Sequence, residues 1–324
     1  MGTTDLGGGV HTIDTLMSGY AGITAGYVVL ADRPCLVETG TARSAPIVRD
    51  ALAEHGLGPD DLATVVVTHI HLDHAGGVGD IAAMYPNAEI VVHELGARHL
   101  VDPSKLMASA KRVYGPLMNE VFGPLLPTPE ERVRAVGDEA SIDLGAGRSL
   151  RVRYSPGHAK HHVALFDEST GDLYVGDAAG IYVPEADLVR PATPPPDFDL
   201  DVALASLAAF RAMRPARLLF SHYGPVEHVE DILDRSEEEL RLWVELVGEA
   251  RGNALDLDHA VGLVRERTAE RYAAIRQDPD LDEKFERLNS FAANIVGINR
   301  WLDRVEGREY DFGDAAGAKP PLAG

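Results

Sequence analysis

Directly after the β-branched run Val65-Val66-Val67 the chain reads "THIHLDHAGG" (68–77), which sets His69, His71, Asp73 and His74 within six positions. No other stretch restricts the fold as strongly. Four metal-seeking side chains this close repel or compete with one another unless something binds them, and binding needs a rigid frame. In an extended strand, side chains two apart point to the same side. His69 and His71 can therefore reach one ion from the end of a strand. Helical zinc motifs set two histidines four apart instead. Asp73 and His74 follow where the chain bends toward Gly76-Gly77, and they can point to a neighbouring position.

The frame is legible in further short runs, "GYVVL" (26–30), "TVVVT" (64–68), "EIVVH" (89–93), "LRVRY" (150–154), "HVALF" (162–166), "DLYVG" (172–176) and "RLLFS" (217–221). Bounded by Gly, Pro, Asp and Ser, they read as strands, and "DESTGD" (167–172) suits a hairpin connection. Helical patterns alternate with them at Ala45–His55, Asp80–Tyr85 and Asp199–Met213. That mixture predicts an α/β domain of sheets covered by helices. Three more metal-seeking residues follow strand runs in the same manner: His158 in "YSPGH", Asp177 in "YVGDAAG" and His222 in "LFSHYG". Neighbouring Gly or Pro lets the backbone turn sharply there. His69, His71 and His158 suit one ion with an open position. Asp73, His74 and His222 suit a second, and Asp177 could bridge the two.

Residues 95–135 interrupt the strand series with Met, Leu and small residues punctuated by "YGP", "FGP" and "LPTP". They read as a helical insertion, a lid or the contact of a homodimer. Past Pro225 the strand signal ends. Val229, Ile232, Leu233, Leu240, Trp243, Val244 and Val247 form an amphipathic stripe. Leu257 to Ile275 suggest a second helix capped by Asp256 or Asp258, and Phe285 to Leu302 a third. "DAAGAKPPLAG" (314–324) reads as a frayed tail. The expected division is a catalytic domain over 1–228 and a helical region over 229–324.

The net charge of −21 repels phosphate backbones and anionic lipids, which argues against nucleic acid and membrane partners. The single cysteine, Cys35, rules out an internal disulfide and suits a cytoplasmic protein. The N-terminal stretch carries no basic-then-apolar signal pattern. His161 and His162 read as partners that orient ligands. His11, His55, His93, His99, His228 and His259 read as surface residues or as satisfying local hydrogen bonds.

With "HIHLDH", "PGH", "GD" and "SHYG" in that order, the sequence resembles the metallo-β-lactamase fold superfamily of metallohydrolases over roughly its first two thirds. The resemblance implies a four-layer αββα sandwich with the site along one edge. It implies first-site ligands His69, His71 and His158, second-site ligands Asp73, His74 and His222, and a bridging Asp177. Within the superfamily the pattern looks most like the glyoxalase II and lactonase branch. "PGHAKHH" lacks the "TPG" often seen there, and the C-terminal part has no evident Lys/Arg cluster for glutathione carboxylates. Glyoxalase II itself is therefore not the expectation.

The chemistry so implied is a hydrolase with two divalent ions, zinc foremost and iron or manganese compatible with the same donors. A shared hydroxide would attack the carbonyl of a small ester, thioester, lactone or amide. The alternative is an iron-dependent oxidoreductase of the same fold, persulfide dioxygenase-like or di-iron. Asp73 counts among the reacting groups, and Tyr182 and Tyr223 are candidate donors to a developing oxyanion.

Overall fold

A computed structural model of the chain describes residues 2–115 and 118–312. Seven strands form a first sheet in chain order: β1 (Thr3–Asp5), β2 (Val10–Asp14), β3 (Ala25–Val29), β4 (Cys35–Val37), β5 (Thr64–Val66), β6 (Glu89–His93) and β7 (Val133–Val136). The pairings from β1 to β4 are antiparallel and those from β4 to β7 parallel. Parallel neighbours need long crossovers. These are supplied by α1 (Ala45–Glu54), by α2 (Leu72–Ala75) with α3 (Val78–Met84), and by α4 (Glu94–Val101) with α5 (Ser104–Tyr114).

Eight further strands follow: β8 (Ser141–Gly145), β9 (Arg148–Tyr154), β10 (Val163–Asp167), β11 (Asp172–Gly176), β12 (Ile181–Val183), β13 (Leu188–Arg190), β14 (Arg217–Phe220) and β15 (Gly224–Val226). The second sheet has the order β15-β14-β11-β10-β9-β8, with only the β11–β14 pair parallel.

The two-residue period of the strands explains how the sheets are covered. Cys35, Val37, Val66 and Val91 of the first sheet share one buried core with Val152, Val163, Leu165, Tyr174 and Leu219 of the second. Leu36, Val65, Ile90 and Val92 alternate with them, are equally buried, and point to the opposite face, where the crossover helices lie. Each such side chain contributes about 1.5–3 kcal/mol by leaving water. The Tyr27 hydroxyl donates to the Phe220 carbonyl at 2.5 Å, a polar tie between the sheets. β4, β5 and β14 all end just before polar residues: Glu38, the His69 motif and His222.

Both sheets belong to one compact unit, Met1–Pro156, His161–Gly176 and Met213–Val229. A second unit takes Gly157–Lys160, Asp177–Ala212 and the chain from Glu230 onward. It holds the β12–β13 hairpin and the helices α6 (Leu200–Met213), α7 (Val229–Gly252), α8 (Leu257–Arg267), α9 (Ala273–Arg276), α10 (Pro279–Leu288) and α11 (Phe291–Glu306). Trp243 is wholly buried there, stacks on Phe291 at 4.9 Å and donates from Nε1 to the Tyr272 hydroxyl at 3.0 Å. The buried Arg190 guanidinium lies 4.8 Å from the Phe291 ring and 5.6 Å from Tyr272, and it donates to the Asn289 carbonyl at 2.9 Å.

Four details differ from the sequence expectation. The second C-terminal helix is two, because α8 ends at Arg267 and α9 starts at Ala273; Asp256 is the cap of α8, accepting from His259 N. The third is likewise two, since Ser290 caps a new helix after α10 ends at Leu288. The insertion is helical as far as Phe122 and again in a single 3-10 turn at Glu130–Arg132. It closes in β7, a strand whose first residues fall inside the stretch expected to be helical. The tail at 314–324 lies outside the described residues. Among the described residues, no helix is long and apolar enough to cross a membrane.

Candidate metal centre

In the first unit the motif after β5 turns through α2, a helix of a single turn, and this folds its donors back on one another. His69 and His74 are wholly buried, with ring centroids 4.0 Å apart, while His71 and Asp73 are half-buried. His69 Nε2 lies 2.9 Å from His71 Nδ1. His222, delivered by β14, is buried and sets its Nε2 3.1 Å from His74 Nε2. Asp73 Oδ2 completes the group at 3.4 Å from His222 Nε2 and 3.7 Å from His74 Nε2. Asp73, His74 and His222 thus offer three donor atoms within 4.8 Å of one another.

The far side of each ring decides what the near side can do. His222 Nδ1 is 2.7 Å from the Ile23 carbonyl, which only an Nδ1–H satisfies, so in the neutral ring it is Nε2 that carries the lone pair. His74 Nδ1 faces Glu38 Oε2 at 3.6 Å, and a carboxylate there favours the same tautomer. His69 Nδ1 rests 3.0 Å from the Thr68 hydroxyl. Two bare imidazole nitrogens and a carboxylate oxygen therefore converge. Such a set is repulsive by itself and is relieved by a cation. Outer partners that fix the tautomer are the usual companions of metal-bound histidine. The donor set fits a divalent ion.

Glu38 was not singled out in the sequence, yet it ties the ligand segments together. It is wholly buried at the end of β4, with φ of +66°. Its Oε1 accepts from Thr68 N at 3.1 Å and from the Ser221 hydroxyl at 3.4 Å, the residues preceding His69 and His222. Its only sequence signal is an acid closing the apolar run "PCLVETG". His162, also buried, sets Nδ1 2.9 Å from the Ser155 hydroxyl. His161 Nδ1 accepts from Ile70 N at 3.4 Å. Gly176 makes room for this layer: at its φ of +52° a Cβ would lie 2.4 Å from His162 Nε2 and 2.6 Å from the Thr68 hydroxyl oxygen.

In the second unit His158 and Asp177 also meet, Nε2 to Oδ2 at 3.5 Å. His158 Nδ1 lies 2.9 Å from the Ala192 carbonyl, the same outer anchoring as His222. A small cavity beside this pair is walled by Ala178, Ala179, Ala192, Ala203, Phe198 and Leu240. Tyr182 donates to Asp187 at 3.0 Å inside the β12–β13 hairpin. Burial first, and that bond second, raise its hydroxyl to about 12. Tyr223 belongs to the first unit and packs against the inter-sheet core. Lys160 is exposed and paired with Asp197 at 2.9 Å.

The family model of the metallo-β-lactamase superfamily matches residues 19–222, a span holding all seven metal-seeking residues. A metallo-β-lactamase fold-containing protein of Sulfurisphaera tokodaii, ST1585, is 32% identical over 200 residues, 59% of this chain and 73% of that protein. In structure, ST1585 superposes on 73% of this chain and 86% of its own, with a TM-score of 0.60 at 28% identity. A metallo-β-lactamase family protein of Thermus thermophilus, TTHA1429, covers 92% of this chain and 94% of its own, with a TM-score of 0.62 at 21% identity. A hydroxyacylglutathione hydrolase of a Synechococcus species is 30% identical, over 47% of this chain and 48% of its own. The αββα class expected from the motif order is the fold of these neighbours, and the chain belongs to the metallo-β-lactamase superfamily.

Proposed function

We propose that the protein is a metal-dependent hydrolase acting on the carbonyl of a small ester, thioester, lactone or amide. The observation that carries this reading is the convergence of the bare Nε2 atoms of His74 and His222, 3.1 Å apart, on the Asp73 carboxylate. The full ligand set we propose rests on the motif order as well: His69, His71 and His158 for one ion, Asp73, His74 and His222 for a second, and Asp177 shared. Divalent ions held so would supply Lewis acidity and a nucleophilic water near neutral pH. The chain's own part is to hold that set rigid: the Ile23, Ala192 and Thr68 oxygens fix the rings, and Glu38 fixes the segments. The hydroxyl of Tyr182 is taken by Asp187 and Tyr223 leans on the core, so neither carries the reading.

The membership favours hydrolysis as a class and leaves the substrate open, because a fold does not dictate a reaction. Elemental mass spectrometry of the purified protein and of His222→Ala tests the centre. About two zinc ions per chain are expected, with one lost in the variant, alongside turnover on a panel of lactones, thioesters and esters. Equal metal content in both proteins refutes the role of His222. Iron as the main metal, with oxygen uptake on sulfur substrates, transfers the reading to oxidation.

A further inference from the structure

The segment after β13 carries the carbonyl that anchors His158, and the second unit fastens that segment at several points. Arg190 donates to the Asn289 carbonyl at 2.9 Å, and Asn289 Nδ2 returns a bond to the Pro191 carbonyl at 3.0 Å. Arg304 of α11 donates to the Phe198 carbonyl at 2.6 Å. α11 comes so close that a Cβ on Gly297 would lie 1.8 Å from the Thr193 carbonyl oxygen. The chain leading into His158 is held from α6. There a Cβ on Gly157, whose φ is +128°, would meet Ala203 Cα at 2.5 Å, and the Gly157 carbonyl accepts from Asp199 N at 3.0 Å.

At the centre of this fastening stands Asn294, a buried residue of α11. Its Oδ1 accepts from Thr193 N at 2.7 Å and lies 2.8 Å from the Thr193 hydroxyl. Its Nδ2 donates to Asn289 Oδ1 at 2.8 Å and to the Ser290 carbonyl at 3.2 Å. The amide's oxygen and both its hydrogens are thus engaged, and its orientation is fixed, because a flipped amide would set a donor against the Thr193 N–H. Thr193 N and the Ala192 carbonyl belong to one peptide group. A line of hydrogen bonds therefore runs from Asn294 Oδ1 through that peptide to His158 Nδ1, 2.9 Å from the Ala192 carbonyl. Thr193 is wholly buried, and His158, Ala192 and Asn294 are buried with it. Hydrogen bonds in such a chain polarise one another. An acceptor on the N–H side makes the carbonyl a stronger acceptor, and a stronger acceptor at Nδ1–H raises the basicity of the ring as a metal ligand.

We propose that Asn294 is a positioning residue for metal binding: through the Ala192–Thr193 peptide it holds the His158 ring and strengthens its Nε2 as a ligand, so that α11 sets metal affinity. This rests on His158 being a ligand, as in the proposed function, and not on the reaction being hydrolysis. Competition of the zinc-loaded protein against a chromophoric chelator tests it without turnover, with a thermal melt of each variant alongside. His158→Ala gives the full loss for comparison. Asn294→Ala should weaken zinc about three- to tenfold, less than the roughly 10–100-fold of a direct outer partner because it acts one bond further out. Asn294→Asp separates positioning from mere support. Ionised or protonated, its carboxyl keeps an oxygen for Thr193 N but loses at least one of the bonds to Asn289 and Ser290. Its melting temperature should fall while its zinc affinity stays at the wild-type value or rises. If Asn294→Ala fails to fold, Asn294→Asp decides.

Unchanged zinc affinity in Asn294→Ala, beside a clear loss in His158→Ala, overturns the proposal and leaves the ligand set standing. Affinity that falls together with the melting temperature in Asn294→Asp overturns it as well, since the residue is then only a support. Unchanged affinity in His158→Ala defeats the ligand assignment, and this inference with it. Turnover of esters or lactones is read separately: its absence, with zinc affinity still dependent on Asn294, defeats the hydrolase reading alone.

Discussion

Replacing Glu38 by glutamine changes two atoms' chemistry and leaves the volume of the side chain almost untouched. The carboxylate offers one oxygen to Thr68 N at 3.1 Å and the Ser221 hydroxyl at 3.4 Å, and the other to His74 Nδ1 at 3.6 Å. An amide has only one oxygen. If that oxygen keeps Thr68 and Ser221, the amide nitrogen turns to His74 and donates to Nδ1. His74 then carries its proton on Nε2, the atom that faces His222 and Asp73, and can no longer ligate. If the amide is flipped, two donors meet at Thr68 N, and the segment leading into His69 is pushed away.

Either orientation damages the centre. Loss of such an outer partner typically costs about 10–100-fold in metal affinity. The stability loss should stay near 1–3 kcal/mol, the range for one buried polar group left unmatched, so the variant should still fold. Glu38→Ala removes both supports and should cost about 3–6 kcal/mol, summing two hydrogen bonds to a charged acceptor at about 1.5–3 each. Zinc competition against a chromophoric chelator, with ions counted per chain, reads the affinity; a thermal melt reads the fold. Glu38→Gln that binds every ion with wild-type affinity would sink the argument that this carboxylate selects the tautomer of His74.

Gly176→Ala should lower both metal occupancy and melting temperature, because its Cβ would intrude on His162 and Thr68 at under 3 Å, and overpacking commonly costs about 1–3 kcal/mol. An unshifted melt and full occupancy would show that this layer yields. Arg190→Met should destabilise the second unit by about 1–3 kcal/mol, through lost stacking on Phe291 and Tyr272 and an unmatched Asn289 carbonyl; denaturant unfolding followed by Trp fluorescence reports it through Trp243, and an unchanged midpoint counts against the stack. Burial pushes the Cys35 thiol up to about 12, so iodoacetamide should leave the folded protein unlabelled at pH 8 and modify it only with denaturant. The sign of the linkage follows. Above about pH 8.5 the unfolded thiol ionises while the folded one cannot, so Cys35 lowers stability as pH rises, and alkaline titration of the melting temperature should show a decline that Cys35→Ala reduces.

The sheets were legible because their signal is local and repeated. Glu89–His93 and Asp172–Gly176 are strands over the very residues of their apolar runs, and Thr64–Val66 stops two residues short of its run. β7 was not legible. Arg132, just before it, reaches back to the Ala82 and Ala88 carbonyls, and Arg134 within it is bound to the Ser141 carbonyl. A short strand that carries a long cation and follows a helical insertion reads as part of that insertion until its partner β6 is known. The breaks between α8 and α9 and between α10 and α11 were missed for a related reason. The apolar spacing runs across them, and only the Thr268 hydroxyl returning to the Val264 carbonyl and the Ser290 cap mark the stops.

The metal-seeking residues themselves stood out because ligation needs particular side chains, and few other demands place His and Asp after buried strands. What holds them does not need particular side chains, and so leaves a faint trace. His222 is fixed by the backbone carbonyl of Ile23 and His158 by that of Ala192; a carbonyl is present at every position and marks none. Glu38 is the exception. A wholly buried acid at positive φ is costly wherever it lies, and the cost is met only because Thr68, Ser221 and His74 converge on it from β5, β14 and α2. These three come from positions 30 to 183 residues away in sequence, so no window of the chain contains the reason for Glu38. The reason exists only once the two sheets have packed. The same packing makes the centre rigid enough to hold the Nε2 atoms of His74 and His222 3.1 Å apart.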